Sequence, residues 1–140
     1  MRHRKANAKL GRTSSHRGAL FANMLKELIF RGKIVTTVPK AKALKRLADK
    51  MVTLGKKDTL EARRSAISKL RVRFNRLTPK DQRAVKEGDK SSYNVDRQVI
   101  DKLFTDIAPK YTDRQGGYTR IIRMGRRRGD DAQLCQIEYI

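Results

Sequence analysis

Residues 33–58 read KIVTTVPKAKALKRLADKMVTLGKKD, and the two halves of this stretch decide the fold. Lys33 to Val38 is short and β-branched, the composition of a strand. Pro39 then suits the first turn of a helix, where the N–H that proline lacks has no intrahelical partner to lose. From there Ala41, Leu44, Leu47, Ala48, Met51 and Leu54 recur at helical spacing, while Lys40, Lys42, Lys45, Arg46 and Lys50 fall largely outside that stripe. A strand that runs straight into an amphipathic, basic helix predicts an α+β domain.

Upstream, Leu20, Phe21, Met24, Leu25, Leu28 and Ile29 share one helical face, with Ser14 and Ser15 as possible N-caps and Gly32 as the stop, so a helix is expected over 15–31. Residues 1–13, MRHRKANAKLGRT, form a basic arm with one large aliphatic side chain, Leu10. That offers too little apolar surface to offset the entropy of ordering, and the arm alone is expected to be disordered. Downstream, Asp58 or Thr59 can cap a third helix carrying Leu60, Ile67, Leu70, Phe74 and Leu77 as far as Pro79. Residues 79–94, PKDQRAVKEGDKSSYN, are polar and read as a loop. A fourth helix is expected through Val95, Val99, Ile100, Leu103, Phe104 and Ile107, closed by Pro109. After Gly116-Gly117, YTRIIRM (118–124) and AQLCQIEYI (132–140) read as two strands around GRRRGDD, an antiparallel hairpin.

At 140 residues the chain fits one domain, expected over 14–140 behind the arm. Its 35 Lys and Arg against 14 Asp and Glu leave a formal charge of +21, which opposes compaction unless a polyanion neutralises it. The charge is directional: residues 1–33 carry net +8, 34–78 +10, 79–113 zero and 114–140 +3. A general solubility charge needs no such asymmetry, so a directed binding surface is favoured. The single Cys135 cannot form an internal disulfide and reads as a small buried side chain. No apolar run approaches the roughly 20 residues that span a bilayer, and the start lacks the apolar middle of a secretory signal, although its Arg-rich composition is that of a transit peptide.

With two histidines and no GxSxG, P-loop or HExxH pattern, enzyme activity is not expected. Contacts to a polyanion are the chemistry on offer. Arg2, Arg4, Lys5, Lys9 and Arg12 suit a thin arm entering between RNA helices. His3 and His16 sit among cations, where bonding to phosphate or stacking on a base outranks acid–base work. Arg63 and Arg64 join the candidates on charge alone. Tyr118 and Arg120 alternate on one strand face, a possible clamp for a base and its phosphate, with burial of Tyr118 as the rival reading. The consecutive Arg126, Arg127 and Arg128 in a turn read as the cleaner phosphate site.

Five ordered blocks matter together: MRHR at 1–4, GRTSSHR at 11–17, TTVPKAKALKR at 36–46, GGYTRI at 116–121 and GDDA at 129–132. In this order they resemble the bacterial large-subunit ribosomal protein seventeen family, over about three quarters of the chain. The resemblance implies about four helices against a small mixed β-sheet and a structural role in the cytoplasmic ribosome. Large-subunit ribosomal RNA near the polypeptide exit region and neighbouring large-subunit proteins are the implied partners. It implies no cofactor, no small-molecule substrate and no membrane. Motif by motif it adds Ser15, His16 and Arg17, then Thr36, Thr37, Lys40 and Lys42, to the RNA contacts, beside Arg2, His3, Arg4, Tyr118 and Arg120. One departure stands out: residues 73–94 look longer than the family needs between its third and fourth helices, an insert expected at the surface or against a neighbouring protein. A free nucleic-acid-binding protein of the compacting or chaperone kind is the alternative that charge alone allows. A scaffold for acidic proteins or membranes lacks the basic helix with an aromatic anchor it would want.

Overall fold

The computed structural model describes residues 8–140, so Arg2, His3, Arg4 and Lys5 lie outside the described residues. Helix α1 (Ser14–Arg31) buries Ala22, Leu25, Leu28 and Ile29 and ends where Gly32, at φ 78°, returns its N–H to the Leu28 carbonyl. Glycine suits this close because it enters the left-handed region without a Cβ penalty. The chain then forms β1 (Lys33–Thr37) and enters α2 (Val38–Lys57) with Pro39 in the first turn. Helix α2 buries Val38, Ala41, Leu44, Ala48, Met51, Val52 and Gly55. At Gly55 the absence of a side chain is structural: a Cβ there would meet that of Ala108 at 2.8 Å.

Helix α3 (Leu60–Leu70) starts on Thr59, whose hydroxyl accepts the Ala62 N–H at 3.2 Å. It stops seven residues short of Leu77, the expected limit, at Arg71 in the left-handed region (φ 51°). The reason lies across the excursion. The Asp96 carboxylate accepts the Arg73 N–H (2.7 Å), the Asn94 amide donates to the Arg73 carbonyl (2.7 Å), and the Arg97 guanidinium donates to the Asn75 carbonyl (2.8 Å) while lying over the Phe74 ring. Side chains thereby satisfy backbone groups that a longer helix would have paired internally. Lys26 of α1 also reaches Asp96 at 2.8 Å. Burial works against the charged carboxylate, yet the bonds from Lys26 and the Arg73 N–H outweigh it and hold Asp96 below the usual range.

The segment read as a loop contains α4 (Pro79–Lys86), nucleated by a reciprocal cap between Thr78 and Asp81. Helix α5 (Val95–Lys102) is capped by Asn94 and continues into a wider π turn (Leu103–Ile107) and a 3-10 turn (Ala108–Tyr111). Pro109 begins that last turn instead of ending the helix. Strands β2 (Thr119–Arg126) and β3 (Gln133–Tyr139) form the expected hairpin. The sheet order is β1-β3-β2 with both pairings antiparallel, which corrects the mixed sheet that the resemblance implied. The last strand returns between the other two, so each neighbour runs against it. Leu28, Leu44, Met51, Leu70, Leu103 and Ile137, all fully or almost fully buried, place the core between α1, α2 and the inner face of the sheet.

Candidate nucleic-acid interface

Lys42, Arg46 and Lys50 are spaced by four along α2 and therefore line one side of it, away from the Ala41, Leu44, Ala48 and Met51 stripe. Arg17, Gly18 and Phe21 at the start of α1 face them. Between the two helices runs a groove of ≈ 810 Å³ whose walls also include Ser14, Pro39 and Leu47. Among the described residues its lining holds four cations, Arg17, Lys42, Arg46 and Lys50, and no carboxylate. Phe21 and Leu47, half-buried, give it an apolar floor. Next to the groove, Gly18 leaves room for another cation: a Cβ there would lie 2.8 Å from the Arg71 guanidinium, which leans over α1 from the end of α3. Guanidinium groups can grip phosphate oxygens two at a time and ammonium groups add point charge, so the groove can follow a nucleic-acid backbone.

The basic arm meets this groove. Its described end, 8–13, is a turn in which the Arg12 N–H bonds the Lys9 carbonyl (3.2 Å), and Ala8 reaches the groove wall. Arg17 donates to the Arg12 carbonyl (3.3 Å) and Arg12 lies 3.4 Å from His16. Lys9, Ser15 and His16 are exposed. The structure thus brings Arg12, His16, Arg17 and Lys42 to one region. The other residues of the 36–42 motif point elsewhere: Thr36 and Lys40 line a second groove beside β1, and Thr37 is the residue that opens α2.

The hairpin residues need correction. Tyr118 is not an exposed platform; it is 3 % exposed, its ring packed on Tyr111 at 5.2 Å between centroids and its hydroxyl donating to the Arg114 carbonyl (3.1 Å). Gly117, at φ 61°, turns the chain so that Tyr118 enters the core just before β2 begins. Arg120 is exposed but bound to Glu138 at 2.6 Å, an ion pair that holds the glutamate below its ordinary range. In the turn, Arg126 pairs with Asp131, and Arg127 bonds both oxygens of Asp130 (2.8 and 2.6 Å), lowering that carboxyl to about 2. The turn read as an open phosphate site largely neutralises itself, because GRRRGDD carries its own counter-charges. Among the described residues Arg128 has no carboxylate partner. Arg63 is likewise engaged, with Asp58 at 2.6 Å and the Phe104 ring at 4.4 Å, while Arg64 is exposed.

Sequence reasoning left Arg46, Lys50 and Arg71 out of the site. The first two carried a legible signal, the four-residue spacing from Lys42; Arg71 carried none, since its position depends on where α3 stops. No described helix is long and apolar enough to cross a membrane.

The family model for ribosomal protein L17 matches residues 20–140. The chain is 60 % identical over 140 residues to the large ribosomal subunit protein bL17 of Protochlamydia amoebophila, a match covering 100 % of this chain and 99 % of the relative. It is 55 % identical, with the same coverage, to the protein of that name from Chlamydia trachomatis serovar L2, and 53 % to that of Chlamydia felis. Because these matches run the length of the chain, they take in the 73–94 excursion.

Proposed function

This chain belongs to the ribosomal protein L17 family, and on that premise we propose that it holds folded large-subunit ribosomal RNA in the groove between α1 and α2, near the polypeptide exit region. It is a structural constituent of the large ribosomal subunit, located in the cytoplasmic ribosome, and not an enzyme. The observation that supports RNA contact at this place is the carboxylate-free lining of Arg17, Lys42, Arg46 and Lys50, in a chain where three hairpin arginines, Arg120, Arg126 and Arg127, are already paired. Lys9, Arg12, Ser15 and His16 extend the same surface toward the start of the chain, where the sequence carries further positive charge at Arg2, Arg4 and Lys5 beside His3. Arg64 and Arg128 are secondary contacts. The placement near the exit region rests on the likeness of the five sequence blocks alone.

The physical division is that phosphate contacts supply salt-sensitive affinity without reading sequence, while the shape of the groove selects a folded RNA. The experiment is sedimentation of tagged protein from cell extract at moderately high salt. Retention with the large subunit is expected. Spread over RNA of every size would support the free nucleic-acid binder instead.

A further inference from the structure

We propose that the outer edge of β1 receives an extended, acidic segment of a neighbouring protein as a fourth strand. This goes beyond RNA binding and uses a different surface. Among the described residues, strand β1 ends the sheet and pairs only with β3. The Tyr139 N–H bonds the Gly32 carbonyl at 3.1 Å, and the register continues Ile34 opposite Ile137 and Thr36 opposite Cys135. In an antiparallel ladder the hydrogen-bonded pairs alternate, so Ile34 and Thr36 turn their backbone groups toward β3 while Lys33 and Val35 turn theirs outward. Val35 is 56 % exposed, an apolar residue on an edge that proteins ordinarily protect.

Beside this edge lies a groove of ≈ 490 Å³ between β1 and α1, with Leu20 and Met24 on the helix wall and Val35 on the strand. A sheet edge flanked by a helix is the setting in which extended peptides add as strands, their backbone making the ladder and alternate side chains filling the groove. The rim sets the charge of the occupant. Arg31 and Glu27 pair at 2.6 Å and cancel, which leaves Lys33 and Lys40 as the uncompensated charges of the described rim. A second copy of this chain would bring the same cations and a net +21 against them. RNA fits the rim but not the edge, because an exposed strand offers carbonyl oxygens between its N–H groups and a phosphate is repelled by every one. A polypeptide with acidic and apolar residues in alternation satisfies both.

The test uses the whole protein, the synthetic peptide EVEVEVE and a uridine oligonucleotide. Amide exchange of the wild-type protein should show peptide-dependent protection at Lys33 and Val35, with Ile34 and Thr36 unchanged. Val35→Pro removes one outward N–H and leaves the β3 ladder intact, as edge positions tolerate. It should weaken peptide binding by about tenfold, the worth of a lost hydrogen bond. Unchanged affinity in that variant, protection confined to α2, or the same protection at Lys33 and Val35 from the oligonucleotide would each overturn the proposal. If Val35→Pro does not fold, the wild-type exchange pattern decides. The two grooves share no lining residue, so alanine at Lys42 and Arg46 should leave peptide binding intact, and the RNA reading stands or falls separately.

Discussion

Replacing Arg17, Lys42, Arg46 and Lys50 together with alanine is expected to lower the salt dependence of ribosomal RNA binding by about three units of log–log slope, at roughly 0.7 to 0.9 for each lost phosphate contact. Affinity should fall most at low salt, where counterion release contributes most. Alanine is a good helix former, so α1 and α2 should persist, with a small loss from the side-chain stems that cover Phe21 and Leu47. Circular dichroism separates that loss from the binding effect. The matched control is alanine at Arg126, Arg127 and Arg128. Two of these three are already held by Asp131 and Asp130, so RNA gains little from them and the slope should change by about one unit at most. Asp130, lowered to about 2, stays ionised throughout the working pH range. Its pairing with Arg127 is present above the ordinary carboxylate pKa and is lost only as pH falls through that lowered value. A pH titration of binding between 6 and 8 should therefore show no step from this turn.

Tyr118→Ala is expected to destabilise the fold by about 3–5 kcal/mol, the usual cost of removing a buried aromatic side chain. The ring fills space beside Tyr111 and below Lys56, whose ammonium lies 5.6 Å from its centroid and donates to the Arg114 carbonyl at 2.7 Å. Tyr118→Phe keeps the ring and loses only the hydroxyl bond to Arg114, for about 1 kcal/mol. Denaturant unfolding measures both. RNA affinity per folded molecule should be unchanged in Tyr118→Phe. A Tyr118→Ala protein of native stability that had lost binding to ribosomal RNA alone would restore the surface clamp that the structure removes.

The contrast between Tyr118 and Lys42 shows what sequence conveys here. Apolar periodicity located α1 within a residue and the body of α2 as far as Leu54, and Pro39 marked the α2 start, because these signals are local. Five short blocks identified the family for the same reason. Tyr118 was not legible: alternation put it on one face with Arg120, but the turn at Gly117 sends it inward before the strand begins, and no local pattern reveals that. The end of α3 was hidden similarly. Phe74 and Leu77 continue its stripe, and only side chains some twenty residues later, Asn94, Asp96 and Arg97, take its backbone elsewhere. Helix α4 did have a local mark, Thr78 three residues before Asp81, outweighed by the polar composition around it. For the arginines of the hairpin the counter-charges stood in the same seven residues, GRRRGDD, yet composition says nothing of who pairs with whom.

We propose that the α1–α2 groove, not the hairpin, meets the RNA. Lysine acetylation followed by mass spectrometry tests it in the intact large subunit, against the free protein at the same salt. Lys42 and Lys50 should react far more slowly in the subunit than in the free chain. If both react equally fast in the two states while protection falls on other lysines, the RNA lies elsewhere and the account is wrong.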